Sequence, residues 1–350
     1  MKVDILIPSK DRPAQLHQLL SLISKNVNGI GQITITIQAS NIDYKRGYEI
    51  LNDRLLKDDH FKLLRNKSKI TILYRDELSK ISEALDHLGN SELLLVLSDD
   101  ELFFGSIDFE NNFAVKKFID DSNILACSIR LGKNITPILP YTHKYFTRAQ
   151  PSFIEQSPEH LIWTWPDNLD TYHWACIFST SGHIYRKNEY LKMFRLFGNE
   201  NFLLIEGNAV KRFVKESLFI SNNLLSFVQF LDHIIEKVLR SLTKINPQPV
   251  IFNLFIKYLY RLKVFEKKST QFKMISLGQS VTAAIDINTS QVWRDDSPHF
   301  ISNDAINQKY LHGYVFSNDV INSIEFDEPN LRDSNKIKGV SFINYISGVK

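Results

Sequence analysis

Residues 91–104, SELLLVLSDDELFF, decide how the chain is read. Leu93 to Leu97 are five consecutive aliphatics, the pattern of a strand buried on both faces. Ser98, Asp99, Asp100 and Glu101 follow at once. Three carboxylates crowded at a strand end repel one another unless they are solvated or share a cation, and their hard oxygens suit Mg²⁺ or Mn²⁺. A solvated turn after a core strand is the plainer reading, and the rest of the chain has to choose.

Upstream, the same organisation recurs. Residues 3–7 are an apolar run ending at Pro8, and Ser9, Lys10, Asp11, Arg12 and Pro13 follow, which reads as strand, polar loop and a helix start with proline in its first turn. Leu16, Leu19, Leu20 and Ile23 then recur at helical spacing and make one apolar face. ITITI at 33–37 is a second strand ending in Gln38, Ala39, Ser40 and Asn41, and the next helix carries Ile50, Leu51, Leu55 and Leu56 inward. A third strand over 70–73 ends at Tyr74, Arg75 and Asp76, and 79–88 reads as a helix with Ile81, Ala84, Leu85 and Leu88 on one side. Strands alternating with helices predict an α/β fold, a mostly parallel sheet whose strands all end on one edge, where ligands sit. The loops 8–12, 38–43 and 74–80 converge there with the carboxylates. Neither GxGxxG after the first strand nor GxxxxGK[ST] occurs, so a dinucleotide site and a P-loop are not supported. A basic, hydroxyl-rich loop beside carboxylates suits a diphosphate bridged by a metal ion instead.

Composition narrows the class. With 350 residues, 43% hydrophobic, 23% charged, 13 Gly and 11 Pro, the chain is globular, and its formal charge of +3 is too small to imply nucleic acid. Cys127 and Cys176 read as two buried thiols of a reducing compartment. MKVDILIPSK carries an Asp and a Pro within eight residues and no long apolar region, so it does not read as a signal peptide, and the expected location is cytoplasmic.

ILIPSKDRPAQLHQLL, residues 5–20, resembles the opening strand, loop and helix of nucleotide-sugar-dependent glycosyltransferases of the GT-A fold, family-2-like, and LLLVLSDDE, residues 93–101, resembles their DxD-bearing strand. The resemblance covers residues 1–105 well and the remainder loosely. It implies a GT-A, Rossmann-like architecture in which Asp99, Asp100 and Glu101 hold Mn²⁺ or Mg²⁺ against the donor's diphosphate. It also implies that Pro8, Ser9, Asp11 and Arg12 line the nucleotide pocket, with Arg75 and Lys80 as further candidates and Asn41 or Asp43 standing where many relatives have an Asp. This chain has Asp-Asp-Glu rather than Asp-x-Asp, and an extended backbone would point the outer pair, Asp99 and Glu101, to one side.

Further on, ILACSIRL at 124–131 reads as a strand, and 137–166 is an irregular stretch whose Trp163 and Trp165 either stack on sugars or pack locally. WACIFSTSGHIY, 174–185, reads as strand and turn before a helix over 187–197 with Tyr190, Leu191 and Phe194 inward. His173 and His183 read first as structural histidines. Glu206 precedes Gly207 and Asn208 at the head of an amphipathic helix, a capping position. The resemblance makes Glu206 the first candidate for the base that deprotonates the acceptor hydroxyl, with Asp170 second. It also makes His312, in YLHGY, a candidate third metal ligand.

From 224 to 242 one helical face is continuously apolar, TKINPQP breaks it, and 250–265 is a second apolar helix striped by Asn253, Lys257 and Arg261. Residues 230–275 hold nine Lys or Arg against three Asp or Glu, a local +6 in a chain totalling +3. The second helix is too short and too charged to span a bilayer. Packing on the core, contact with the inner face of the membrane and a homodimer interface through 224–265 all fit this pair. Residues 281–287 then read as a strand, 308–313 as a turn and 315–324 as a helix.

The expected organisation is a catalytic domain over 1–222, a basic helical insertion over 223–275 and a C-terminal segment, 276–350, that completes the catalytic domain. The expected function is metal-dependent transfer of a sugar from a UDP-, GDP- or CDP-linked donor to a glycan or lipid-linked acceptor, with inversion. The alternatives are a nucleotidyltransferase and a catalytically silent glycan-binding or scaffold relative.

Overall fold

The structure is a computed structural model. It describes residues 1–77, 81–135, 150–165, 171–176, 178–197, 272–285, 302–316, 330–331 and 342–344. Strand β1 (Val3–Lys10) lies at the centre of its first half, between β2 (Ile30–Gln38) and β4 (Leu93–Val96), and β3 (Lys69–Tyr74) pairs with β2 on the outside. These pairings are all parallel, with Ile5 opposite Ile33 on one side and Leu95 on the other. The aliphatic runs make this arrangement possible: Leu93 to Leu97 are buried on both faces, as a central parallel strand requires.

Beyond β4 the sheet changes direction. It continues through β9 (His183–Arg186), β6 (Ile124–Ser128), β10 (Lys273–Leu277), β8 (His160–Thr164) and β7 (Phe153–Gln156), nine strands among the described residues. Strand β9 runs antiparallel to β4 and β6, β10 runs parallel to β6, and β8 is antiparallel to β10 and β7. A second, small sheet pairs β5 (Glu101–Phe103) antiparallel with β11 (Thr282–Ile285). The sheet resumes at Lys273, three residues before the expected start of the C-terminal segment.

Helix α1 (Pro13–Asn26) has Pro13 in its first turn and is buried from Pro13 to Ser24. One apolar face was expected, yet Gln15, His17, Gln18, Ser21 and Ser24 are buried too. Two segments cover them: α6 (Asn303–Leu311), which packs on α1 and on α2 (Ile42–Lys57), lies over Gln15 and His17, and the stretch 59–67 lies over Ser21 and Ser24, with His60 Nε2 2.7 Å from the Ser21 hydroxyl and Lys67 donating to the Ser24 carbonyl at 2.8 Å. His17 Nδ1 lies 3.0 Å from the Tyr310 hydroxyl, the Tyr44 hydroxyl donates to Asp304 at 2.7 Å, and the Arg54 guanidinium sits 4.8 Å from the centre of the Tyr310 ring. At Gly47 a Cβ would meet Asn307 Oδ1 at 2.5 Å and Pro13 Cγ at 2.6 Å, so only glycine lets α2 come this close. Three further helices, α3 (Lys62–Lys67), α4 (Phe113–Asp120) and α5 (Lys187–Phe197), complete the described helical layers.

Several local readings are corrected. Ile81–His87 is helical, of the 3₁₀ kind, within the helix expected over 79–88. On α2 the buried positions are Tyr44, Gly47, Tyr48, Leu51 and Leu55, and Leu56 is 62% exposed. Tyr314–Phe316 is a strand where a helix was expected to start at 315, and α6 starts twelve residues earlier, at Asn303. Trp163 and Trp165 are fully buried, their indole N–H groups donating to the carbonyls of Trp174 at 3.2 Å and Ala175 at 2.6 Å, so they pack and do not face a sugar. Cys127 is buried, but Cys176 is exposed. The pair over 224–265 lies outside the described residues, and no helix among the described residues is long and apolar enough to cross a membrane. Leu95 is packed between Ile5 and Ile184 in adjacent strands, so Leu95→Ala is expected to lower unfolding free energy by about 2–5 kcal/mol in urea denaturation; a change below about 1 kcal/mol would contradict this placement.

Candidate functional site

The site grows from the carboxyl ends of β1 and β4. Strand β1 ends at Lys10, and Asp11 then adopts φ 58°, a left-handed conformation uncommon outside glycine. Two bonds hold it there: Asp11 N–H donates to the Gln38 carbonyl at 3.1 Å, and its carboxylate accepts from Ser40 N–H at 2.7 Å. The kink turns the chain so that Arg12 precedes α1 with its side chain over the end of β4. Strand β4 stops at Val96, and 98–101 form a turn in which Glu101 N–H donates to the Ser98 carbonyl at 3.2 Å.

The two ends meet through Asp99. Its Oδ2 accepts from Ser9 Oγ at 2.8 Å and from Lys10 N–H at 3.2 Å, and its Oδ1 accepts from Arg12 Nη1 at 3.0 Å. The same Nη1 donates to Asp100 Oδ2 at 2.8 Å. Behind them lies Tyr48 of α2. Because Ser9 spends its proton on Asp99, the Tyr48 hydroxyl, 2.7 Å away, donates to Ser9 and accepts from Arg12 N–H at 3.0 Å.

Burial sets the electrostatics. Asp99 is 4% exposed, and burial pushes its carboxyl up to about 6 despite the pull of Arg12 and Ser9. Burial alone would ease a proton off Arg12, but the charges of Asp99 and Asp100 outweigh it and hold the guanidinium firmly protonated. Burial also raises the Tyr48 hydroxyl, so it stays a neutral donor. The solvated-turn reading of this cluster therefore fails: Asp99 and Glu101 are both buried.

Glu101 goes elsewhere. The turn breaks the extended alternation, so the adjacent pair Asp99 and Asp100 shares a partner where the outer pair was expected to. Glu101 is bonded to the Ser181 hydroxyl on one oxygen and accepts from Thr282 Oγ1 at 3.2 Å on the other. Burial pushes its carboxyl up to about 7 against the opposing charge of Arg130. Beside it, His183 donates from Nδ1 to the Ser181 carbonyl at 3.0 Å, while its buried Nε2 has no hydrogen-bond partner among the described residues. Burial lowers His183 to about 4, and Arg130 lowers it further against the Ser181 carbonyl.

Other expected residues fall in three places. Pro8 is half-buried within β1, and Arg75 follows β3 in a short 3₁₀ helix on the same edge. Asn41 caps α2, its side chain accepting from Tyr44 N–H at 3.0 Å, and Asp43 accepts from Gln308 at 3.3 Å. His312 ends α6, exposed, with Nδ1 on the Gln308 carbonyl at 2.7 Å. Among the described residues no three His, Cys, Asp or Glu side chains are grouped to hold a metal, so the expected set of Asp99, Asp100, Glu101 and His312 is not assembled. Lys80, Asp170 and Glu206 lie outside the described residues. Tyr48 is the residue that the sequence reading missed; a tyrosine at the inward spacing of α2 with Leu51 and Leu55 was the available signal, because a buried hydroxyl has to find a partner.

No family model and no curated protein matches the chain. Similar solved structures include S. aureus TarS 1–349 in complex with UDP-GlcNAc, at 15% identity and TM-score 0.32, covering 56% of this chain and 47% of that one. Another is the mannosyltransferase PcManGT from Pyrobaculum calidifontis in complex with GDP-Man and Mn²⁺, at 12% identity and TM-score 0.35, covering 75% of this chain and 70% of that one. A third is mouse xyloside xylosyltransferase 1, at 9% identity and TM-score 0.28, covering 59% and 79%. The matched region spans 29% of one TarS chain and about half, 54%, of another that stops at residue 349. At these identities and scores the similarity carries no argument about activity.

Tyr48→Phe removes one hydroxyl and leaves Arg12 N–H and Ser9 without their partner, so it is expected to cost about 1–3 kcal/mol, read by urea denaturation; unchanged stability would contradict the chain of bonds. His183 is neutral in the fold down to about pH 4, whereas the unfolded chain gains the proton near 6.5, so stability is full above 6.5 and is lost as the pH falls towards 4. The expected slope is about 1.4 kcal/mol per pH unit from this group. His183→Gln is expected to remove this loss, so that the variant gains stability relative to the wild type as the pH falls from 7 to 5, over and above the opposite contribution of the raised Asp99 and Glu101 carboxyls; a stability difference between the two proteins that does not change with pH would count against it.

Proposed function

We propose that the chain is a GT-A-like glycosyltransferase that moves a sugar from a UDP-, GDP- or CDP-linked donor to a glycan or lipid-linked acceptor. The observation that carries this reading is the meeting of Ser9, Arg12, Asp99 and Asp100 at the carboxyl edge of a parallel sheet, on the strands whose sequences resemble that family. Sheets of this kind take ligands at that edge, and the site has no glycine-rich phosphate loop, so charged side chains have to do the work.

The donor set fits Mg²⁺ or Mn²⁺ in the manner of a cation bound by one or two carboxylates and completed by substrate phosphates. Asp100, the less buried of the two carboxylates, would be the principal ligand and Asp99 the second. A divalent cation there would neutralise the charge of the departing diphosphate. Arg12 supports the same task, because a guanidinium fork matches phosphate oxygens. Ser9, Tyr48 and Lys10 fix Asp99, and through it the turn that carries Asp100. Asp11 and Pro8 are the proposed walls of the nucleotide pocket, with Asn41, Arg75 and Lys80 around it. Glu206, with Asp170 as second candidate, is the proposed base for an inverting displacement. The basic stretch 224–265 is the proposed contact with the membrane surface or a second copy in a cytoplasmic protein, and 1–222, 223–275 and 276–350 remain the proposed units. A catalytically silent relative is the second reading, favoured by the burial of Glu101 away from the two aspartates.

Calorimetry separates them. With Mn²⁺ present, at least one of UDP, GDP and CDP is expected to bind, and Asp100→Ala to weaken that binding about tenfold or more, equivalent to about 1.4 kcal/mol. No binding of any of the three would contradict the transferase reading.

A further inference from the structure

We propose that Arg12 is a built-in counter-ion that a divalent cation has to displace from Asp100, so that this site takes up Mg²⁺ or Mn²⁺ only together with a nucleoside diphosphate. The proposal rests on the glycosyltransferase reading and adds to it an order of assembly written into one side chain.

Arg12 occupies the place the cation would need. A single nitrogen, Nη1, spans Asp99 Oδ1 at 3.0 Å and Asp100 Oδ2 at 2.8 Å, and the three side chains are 13%, 6% and 12% exposed. In a place so closed to water a guanidinium and a metal ion cannot share two carboxylates at close range without strong repulsion. The three groups sum to one negative charge. A bare dication added beside Arg12 turns that to one positive charge, and moving Arg12 aside instead breaks its bonds to both carboxylates in a place largely closed to water, which is costly.

A diphosphate removes both difficulties. It brings two or three negative charges, so the sum returns to one or two negative charges, and it offers Arg12 a pair of phosphate acceptors in exchange for Asp100. Geometry decides which bond gives way. Asp99 is pinned from its other oxygen by Ser9 and Lys10, and Arg12 is fixed at its backbone by Tyr48 immediately before Pro13. Asp100 stands in the turn, and Arg12 takes only its Oδ2. The exchange therefore amounts to a swing of the Arg12 side chain, with its backbone, held by the Tyr48 hydroxyl, as the fixed pivot.

The test is direct binding of Mn²⁺ to the full chain, followed by electron paramagnetic resonance, alone and with UDP, GDP or CDP. The wild type is expected to bind Mn²⁺ at least about tenfold more tightly with a nucleoside diphosphate than without, the size of a single charge interaction of one pK unit. Arg12→Gln, which is shorter, stays polar and loses the charge, is expected to bind Mn²⁺ alone about tenfold more tightly than the wild type alone, and Arg12→Ala gives a second reading where the glutamine variant folds poorly. Mn²⁺ binding to the wild type that is equally tight with and without a nucleotide that itself binds overturns the proposal, as does a folded Arg12 variant with no gain. If no nucleoside diphosphate binds under any condition, the glycosyltransferase reading fails, while the gain in the Arg12 variants still reports separately on the counter-ion.

Discussion

The bridge from Arg12 to Asp99 and Asp100 joins two loops that are 87 and 88 residues apart in sequence. Everything at this edge of the sheet depends on it. The β1 loop has a left-handed residue at Asp11, and the β4 turn carries like charges side by side. Neither is favourable alone. Held against each other, with Ser9 and Tyr48 behind, they form a rigid frame in which one polar group satisfies the next. The cost is a carboxylate kept under burial pressure, since Asp99 rises to about 6 even with a guanidinium beside it. A site that strains towards more positive charge suits a cation and an anionic ligand arriving together.

The parallel half of the fold was legible because its strands are nearly pure aliphatic runs. Leu93 to Leu97 and ITITI can be satisfied only by burial on both faces, and strand–helix alternation then puts their ends on one edge. The region from β9 to β7 was less legible, since short mixed strands such as His183–Arg186 carry weak periodicity and gain their place from pairing with β4. Helix α1 shows a different limit. Its polar face is covered in part by α6, nearly 300 residues away, and the signs of that cover are individual contacts such as His17 with Tyr310, which no local pattern announces.

The site was legible in its residue types and not in its geometry. Ser9, Arg12, Asp99 and Asp100 were all expected at the edge, and the structure brings them together. The extended-chain argument for Asp99 with Glu101 failed because a turn intervenes, and a turn rotates successive side chains by amounts that a two-residue period does not describe. Glu101 instead ties β5 to Ser181 and Thr282, next to a neutral, buried His183. That polar cluster lies beside the end of β4, where His183 pairs with Val96. It gives the edge a second buried anchor, so the aspartate turn is held from both sides.

The edge formed by β1 and β4 is the proposed seat of a sugar-donor diphosphate. Crystals soaked with UDP-, GDP- and CDP-sugars test it most directly. The diphosphate of one of them is predicted to lie between Arg12 and Asp100, with the nucleoside against the loop that contains Asp11. A nucleotide bound at any other place, with the Arg12 bridge undisturbed, would contradict the account.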